Sequence, residues 1–328
     1  MTKSPSLSRT DSQHLEGGDV QGAIAAYSRA LEIDPRHPEA RYERAMSYHA
    51  VGDYTSCLSD AEAGLSLQSP LEARFFGIAG SCLSADGKTK KALRQFRRGI
   101  KRFPEDVPLN LNIAVTLANT GELDEARSRL KTVLHQEPNH PTANLYLATL
   151  FQRGGYRVPA AFQYLRFLAV EASTQRSASA ALGFLEVLSI GLEQTGEKQF
   201  NLTLFTAEPM DEGDFGPLST GLSLLAAVAT TEKYQVLQPA PRLSRIVDSL
   251  VDLARERKET EMRETFVWKH AIDFLIEMKE DSVLEAFSYA AFSPLRLDGG
   301  REWLDSHPED LARLREWLGS APSEGRAK

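Results

Sequence analysis

The amino-acid sequence predicts an all-α protein with about five consecutive helix pairs followed by a C-terminal helical domain. Three observations predict this fold class. Glycines recur at intervals of 34, 35, 34 and 34 residues, at Gly18, Gly52, Gly87, Gly121 and Gly155. A similar order of small and large residues follows each glycine, and a proline closes most of the segments. A period near 34 residues indicates one helix–turn–helix unit per repeat.

Each repeat is predicted to contain a first and a second helix joined at its glycine, which tolerates the left-handed conformation of a tight turn. Small residues five positions after the glycine allow close helix packing, namely Ala23, Cys57, Ala92, Ala126 and Ala160. Mostly large residues nine positions after it fill the groove between helices, namely Tyr27, Ala61, Phe96, Leu130 and Tyr164. The small positions of the first helices are Ala45, Gly80, Ala114 and Ala148. Prolines end three second helices, at Pro35, Pro104 and Pro138.

This period and residue pattern resemble the tetratricopeptide repeat family over about residues 4–170. The resemblance implies a right-handed α-solenoid of five copies within residues 1–170, with the first helices lining its concave groove. Copy 1 departs from the pattern, because Asp11 and His14 stand where a small and a large apolar residue are expected. We interpret copy 1 as degenerate or as a polar cap of the array.

The 34-residue pattern fades near residue 171, and residues 171–318 are predicted to form a C-terminal helical domain, with a disordered tail at 319–328. Helical patterns cover about 217–231, 241–257, 262–279, 281–292 and 307–318. Gly196 and Phe205 echo the repeat and allow a degenerate sixth copy. The alternation in 199–206 fits a short strand equally well, so both alternatives stay open.

The composition argues against bulk binding to nucleic acid or to an anionic membrane. The 328 residues include 38 Lys or Arg and 45 Asp or Glu, a net charge of −7. No apolar run approaches the ~20 residues of a transmembrane helix, and the segment MTKSPSLSRTDSQ lacks the apolar run of a signal peptide. We therefore expect a cytoplasmic protein. Cys57 and Cys82 are too few for a disulfide framework or a four-ligand zinc site, and we interpret them as small core residues.

The sequence contains none of the common catalytic, nucleotide-binding or metal-binding motifs. Asp214-Phe215-Gly216 spells the kinase triplet without its companion motifs. The seven histidines are scattered, and three of them, His37, His135 and His140, are expected to cap helix carbonyls. His270 is expected to be exposed beside a core tryptophan. We predict no cofactor, no metal and no enzymatic activity. An enzyme with an unrecognised site in the C-terminal half is the least favoured alternative.

The family resemblance implies that first-helix side chains contact a protein or peptide partner in the concave groove. The corresponding positions are Tyr42, Met46, His49, Arg74, Ser81, Leu111, Val115, Asn119, Leu145 and Arg153. This wall is apolar in its middle and has few charges, which favours an amphipathic helix or an extended apolar peptide. An alternative is that the protein's own C-terminal half covers the groove. The leading function is therefore a protein-protein interaction scaffold or adaptor, whose partner, pathway and oligomeric state are not predicted.

Some family members grip the C-terminal carboxylate of heat-shock chaperones with a clamp of Lys, Arg and Asn from three adjacent copies. The matching positions here are Ser8, Ser12, Glu43, Arg74 and Ile78, or, one copy on, Tyr42, Met46, Ile78, Pro108 and Asn112. Neither set supplies the required cations, so we predict that this chain has no such clamp.

Residues 87–103 carry eight cations and no acid, although the chain as a whole is acidic. We name the side chains Lys90, Arg94, Arg97, Arg98 and Lys101 the basic ridge. Such a ridge on the outward side of a helix suits RNA, an acidic protein surface or anionic lipid. It lacks interleaved aromatic residues for base stacking, so nucleic acid is the weaker alternative.

Overall fold

The computed structural model describes residues 19–196, 199–257 and 264–320, which confirm the all-α fold class apart from one short hairpin. The chain divides into two compact units, Met1–Val133 (unit 1) and Leu134–Lys328 (unit 2). This division lies inside the fourth repeat, whereas the repeat pattern in the sequence runs to about residue 170. The first helix of copy 1, with Asp11 and His14, lies outside the described residues.

Unit 1 consists of helices that pack in the order of the chain. They are α1 (Val20–Ile33), α2 (Pro38–Ala50), α3 (Tyr54–Leu65), α4 (Glu72–Ala85), α5 (Thr89–Arg102), α6 (Val107–Thr120) and α7 (Leu123–Gln136), which crosses into unit 2. Helices α2, α4 and α6 are first helices of copies 2 to 4. They also contact one another in succession, α2 with α4 and α4 with α6, so their side chains form a continuous layer.

The turns confirm the predicted role of the repeated glycines. Gly52, Gly87, Gly121 and Gly155 have φ values of 79°, 73°, 85° and 81°, in the left-handed region that favours glycine. Gly18 lies outside the described residues. Helices α1 and α5 end at Ile33 and Arg102, two residues before a proline, as predicted.

The small residues of the repeat allow aromatic rings to reach the helix backbone. A Cβ atom on Gly64 would lie 2.1 Å from the Phe75 ring, and one on Gly80 would lie 2.4 Å from the Phe96 ring. Both rings are buried, with exposed fractions of 0% and 1%. The small positions therefore determine how closely consecutive helices approach within unit 1.

The two cysteines lie in the core of unit 1 between α3 and α4. Cys57 and Cys82 are fully buried, as predicted, but the structure joins them in a disulfide that was not predicted. Their Cα atoms are 6.2 Å apart. The bond links the second helix of copy 2 to the first helix of copy 3.

A buried carboxylate joins the first three helices of unit 1. Asp60 is 4% exposed and accepts hydrogen bonds from Arg44 Nε at 2.7 Å and Arg44 Nη2 at 2.8 Å. Arg41 Nη1 donates to the same carboxylate at 3.1 Å, and Arg44 Nη1 donates to Ser28 Oγ on α1 at 3.0 Å. This network was not predicted, because Asp60 stands on an otherwise ordinary amphipathic helix.

Unit 2 contains the fifth helix pair and the C-terminal helices. The helices are α8 (Pro141–Arg153), α9 (Arg157–Val170), α10 (Gln175–Ser189), α11 (Gly216–Val228), α12 (Glu232–Gln235), α13 (Pro239–Arg255), α14 (Asp273–Glu280), α15 (Leu284–Phe292), α16 (Gly300–Ser306) and α17 (Pro308–Ser320). A π-helical turn, Trp268–Ile272, precedes α14, and short 3₁₀ turns occupy Met210–Glu212 and Ser293–Leu295. The five helical patterns predicted after residue 216 correspond to α11, α13, α14, α15 and α17, whereas α10, α12 and α16 were not predicted.

The hypothesis of a sixth copy with its turn at Gly196 is wrong, because no second helix follows that glycine. Strands β1 (Leu192–Gln194) and β2 (Phe200–Leu202) form an antiparallel hairpin in which Leu192 pairs with Leu202. Of the strand alternative for 199–206, only Phe200–Leu202 forms a strand. Of the predicted tail, Gly319 and Ser320 belong to α17, and residues 321–328 lie outside the described residues.

The core of unit 2 is aromatic. Phe151, Phe162, Phe184, Phe287 and Trp268 are each at most 1% exposed. Among the described residues, no helix has the length and apolarity needed to cross a membrane.

Candidate functional site

The candidate binding surface of unit 1, which we call the first-helix face, is formed by side chains of α2, α4 and α6. Its members are Tyr42, Met46, His49, Arg74, Ser81, Leu111, Val115 and Asn119. Met46 is 40% exposed, Arg74 and Asn119 are also exposed, and the others are half-buried. Within each helix these residues recur every three to four positions or at twice that spacing, which places them on one side of the helix. The face is therefore accessible at the positions predicted from the sequence.

Tyr42 and Arg74 connect the first helices of copies 2 and 3. The Arg74 guanidinium lies 5.8 Å from the centre of the Tyr42 ring, and the Phe75 ring meets Tyr42 edge-on at 5.9 Å. Burial raises the pKa of Tyr42, with Glu43 and Asp106 raising it further and Arg74 opposing them. The phenol stays protonated at neutral pH and presents a donor at the edge of an apolar surface.

Carboxyl groups border this pair of residues. Burial raises the pKa of Glu43, and the nearby Arg74 charge opposes the effect. Asp106 caps α6 by accepting a hydrogen bond from the Leu109 backbone N–H at 2.9 Å. The surroundings of Tyr42 are therefore mixed in charge and lack the cations of a carboxylate clamp. Of the clamp positions, Ile78 is buried, and Ser8 and Ser12 lie outside the described residues.

In unit 2, the predicted groove residues Leu145 and Arg153 lie on α8 and are half-buried and exposed, respectively. Gln152, next to Arg153, donates from Nε2 to Glu186 Oε2 at 3.1 Å, and its Oε1 accepts a hydrogen bond from the Tyr164 hydroxyl. Glu186 belongs to α10, so that helix occupies the neighbourhood of this end of α8.

The basic ridge lies on α5, and all five of its residues are exposed. Arg97 is ion-paired, because it donates to Glu122 at 3.2 Å and to Glu125 at 2.7 Å. Arg98 hydrogen-bonds to Gln95 and lies over the Phe76 ring. Lys90, Arg94 and Lys101 have no acidic partner among the described residues. The acids of the following repeat therefore leave the basic ridge with fewer unpaired positive charges than the sequence of α5 alone suggested.

Asp214 and three of the histidines considered above make hydrogen bonds within the fold. Asp214 accepts a hydrogen bond from the Gly216 backbone N–H at 3.1 Å. His37 and His140 accept backbone N–H groups at the starts of α2 and α8, so the expectation that they cap carbonyls at helix ends is wrong. His270 is half-buried rather than exposed, with Nε2 2.9 Å from Asn144 Oδ1, and burial lowers its pKa. The described residues contain no His, Cys, Asp or Glu cluster suited to a metal ion.

Two charged residues of unit 2 were missed by sequence reasoning. Arg157 is 4% exposed and donates to Ser223 Oγ at 2.9 Å and to the Ile190 carbonyl at 3.1 Å. Glu208 is 8% exposed and accepts the Val158 backbone N–H at 3.0 Å. Burial raises the pKa of Glu208 to about 7. Neither residue stands in a recognisable motif, so sequence pattern offered no signal for them.

Comparisons with known proteins agree with the repeat geometry. Family models described as Tetratricopeptide repeat and TPR repeat match residues 83–150 and 13–52. The chain is 22% identical over 116 residues to Small glutamine-rich tetratricopeptide repeat-containing protein 2 of Mycosarcoma maydis, an alignment that covers 35% of this chain and 33% of that protein. The alignment thus spans about a third of the length of this curated relative.

Solved tetratricopeptide structures are also similar to this chain. TTC0263 of Thermus thermophilus is 23% identical, with 55% of this chain and 96% of that chain covered and a TM-score of 0.45. YrrB, described as a TPR protein with an unusual peptide-binding site, is 22% identical, with 51% and 85% covered and a TM-score of 0.40. The helix pairs, the turn glycines and the family matches together show that this chain contains tetratricopeptide repeats. This fold indicates a protein-protein interaction scaffold.

Proposed function

We propose that the chain is a non-enzymatic adaptor that binds a partner peptide or helix along the first-helix face. The observation that carries the proposal is the accessibility of Met46 on α2, with Tyr42 half-buried on the same helix and Leu111 and Val115 half-buried on α6. A row of partly exposed apolar side chains on packed helices offers a preformed surface that gains free energy when it is covered.

The chemistry of the face suggests the kind of partner. An aliphatic or aromatic side chain of the partner would cover Met46, and an adjacent acidic or carbonyl group would meet Arg74 and the Tyr42 hydroxyl. An amphipathic helix or an extended apolar peptide with one acidic residue has this combination. We place the interaction in the cytoplasm.

Charge substitution in the full-length chain tests this proposal. Met46→Glu and Leu111→Glu each introduce a carboxylate on the face, and Ile33→Glu is the matched control because Ile33 is 75% exposed on a second helix. Partners captured by the wild-type chain with crosslinking, and identified by mass spectrometry, should be lost with the first two variants and kept with the control. Equal capture by all four proteins would contradict binding at this face.

A second candidate function uses the basic ridge to bind RNA or an acidic protein surface. Lys90, Arg94 and Lys101 favour it, because they are accessible on α5 and have no acidic partner among the described residues. A triple substitution of these residues by Glu should abolish a salt-sensitive gel shift with RNA. The Arg97→Glu variant is the control, since that charge is already paired with Glu122 and Glu125. The absence of any shift with wild-type protein at low salt would dispose of the RNA-binding form.

A further inference from the structure

A second site, independent of the first-helix face, is indicated by Arg166 of unit 2. This arginine lies on α9 and is 2% exposed. Its guanidinium stacks on the Phe274 ring, 3.9 Å from the ring centre. Burying a cation without a paired anion costs several kcal/mol, roughly, so an uncompensated buried charge requires an explanation.

The neutral groups around Arg166 engage only part of its guanidinium. Nε donates to the His270 backbone carbonyl at 3.2 Å, and Nη2 donates to Asn139 Oδ1 at 2.7 Å. Among the described residues, no acceptor bonds to Nη1 and no carboxylate pairs with the guanidinium. Burial lowers the pKa of Arg166 to about 10, so the side chain remains a cation at neutral pH.

Arg166 borders a cavity of about 320 Å³. Its lining is formed by Asn139, Arg166, Ala169, Val170, Phe274, Leu318 and Gly319. Arg166 supplies the charge, Asn139 a polar amide, and the remaining side chains an apolar wall. Phe274 covers one face of the guanidinium, and one N–H of Nη2 already donates to Asn139. The donors left for a ligand are therefore the in-plane N–H groups of Nη1 and the second N–H of Nη2.

We propose that this cavity binds a small monocarboxylate, whose oxygens accept hydrogen bonds from Nη1 and Nη2 of Arg166 and whose apolar group lies against Val170, Phe274 and Leu318. The planar edge of a guanidinium matches the two oxygens of a carboxylate. One cation matches one negative charge, whereas a phosphate dianion would need more donors than this lining supplies. The cavity volume is near the lower end for small-molecule sites, about 300–1,000 Å³, which favours a ligand of amino-acid size.

The probe is sodium 4-methylpentanoate, titrated calorimetrically into the full-length protein, with neutral 4-methylpentanamide as the isosteric comparison. The carboxylate should bind at least tenfold more tightly than the amide, because only the carboxylate pairs with the guanidinium. Arg166→Gln should weaken carboxylate binding at least tenfold. Arg301→Gln is the matched control, since Arg301 lies on the same unit with its side chain 94% exposed.

A second variant keeps the test decisive if Arg166→Gln does not fold, as judged by circular dichroism. Gly319 lines the cavity, and no atom lies within 4 Å of the position of an added Cβ, so Gly319→Leu is expected to fold and to narrow the cavity. It should also weaken carboxylate binding at least tenfold. The proposal is overturned if the carboxylate does not bind at millimolar concentration, if the amide binds equally well, if a folded variant binds like wild type, or if inorganic phosphate binds more tightly than the carboxylate.

Discussion

The packing of the repeats can be tested with two alanine substitutions in the same helix. Gly77 and Gly80 both lie on α4 and are both buried. Replacing a glycine within a helix by alanine favours folding by about 1 kcal/mol when there is room for the methyl group. At Gly77 there is room, because the nearest atoms, from Asn112 and Leu109, are 3.7 and 3.8 Å from the added Cβ.

At Gly80 the added methyl group would collide with Phe96. The nearest ring carbons are 2.4 and 2.6 Å away, whereas carbon atoms pack at about 3.5 Å or more, so the ring must move by roughly 1 Å. Phe96 is 1% exposed, so its own neighbours must move with it. Overpacking of this kind costs about 1–3 kcal/mol. We expect about 3 kcal/mol here, which leaves Gly80→Ala about 2 kcal/mol less stable than wild type after the gain in helix propensity.

Gly77→Ala should therefore be about 1 kcal/mol more stable than wild type and Gly80→Ala about 2 kcal/mol less stable. The free energies of unfolding of the two variants should differ by about 3 kcal/mol. Guanidinium unfolding followed by circular dichroism measures the difference, and hydrogen exchange of residues 72–102 assigns it to α4 and α5. Equal stability of Gly77→Ala and Gly80→Ala would refute the claim that the small repeat position sets the distance between these helices.

Three further predictions concern single groups. Burial raises the pKa of Glu208 from its ordinary value of 4.5 to about 7, so the folded state binds this proton more tightly and loses stability as pH rises from about 4.5 to 7. Between pH 5 and pH 8 the free energy of unfolding should consequently fall by about 2–3 kcal/mol more in wild type than in Glu208→Gln, and equal falls in urea titrations would contradict this. Asp60→Ala should destabilise unit 1 by about 3 kcal/mol because it leaves Arg44 without its carboxylate, whereas a loss below about 1 kcal/mol would show that water compensates. In denaturant without reductant, neither Cys57 nor Cys82 should be alkylated, and two added labels would contradict the disulfide. This disulfide links residues 25 positions apart in the sequence and should stabilise the fold by about 3 kcal/mol.

The repeat was predictable because its signals are local and recur. Positive φ is required at the turn glycines Gly52, Gly87, Gly121 and Gly155, and a proline follows the ends of α1 and α5. The same local signals therefore occur in several copies and support one another. The predicted positions on the first helices are exposed or half-buried for the same reason, since helical spacing alone separates them from the core.

The groups that sequence reasoning missed depend on contacts between distant segments. Arg166 is buried against a carbonyl 104 residues away, and Glu208 accepts an N–H group 50 residues away. No local pattern distinguishes such residues from solvated charges. The same limitation applies to Arg97, whose partners lie on the next repeat, and to Gly196, whose surroundings pair as strands instead of forming a helix.

The disulfide bears on the predicted location of the protein. Disulfides are rare in the reducing cytosol and common in oxidising compartments. Cys57 and Cys82 were interpreted as core residues in a cytoplasmic chain, and their burial agrees with the first part of that interpretation. The cytoplasmic location stays a prediction, and the alkylation experiment on protein taken directly from cells addresses it.

Partner binding on the first-helix face is the central claim, and site-specific photocrosslinking tests it most directly. A benzophenone amino acid is placed at position 46 or 111 on the face, or at position 33, where Ile33 is exposed on a second helix. Irradiation should join the same partner to the chain from positions 46 and 111 and leave position 33 without a product. A partner that crosslinks from position 33 and from neither position on the face would contradict the claim.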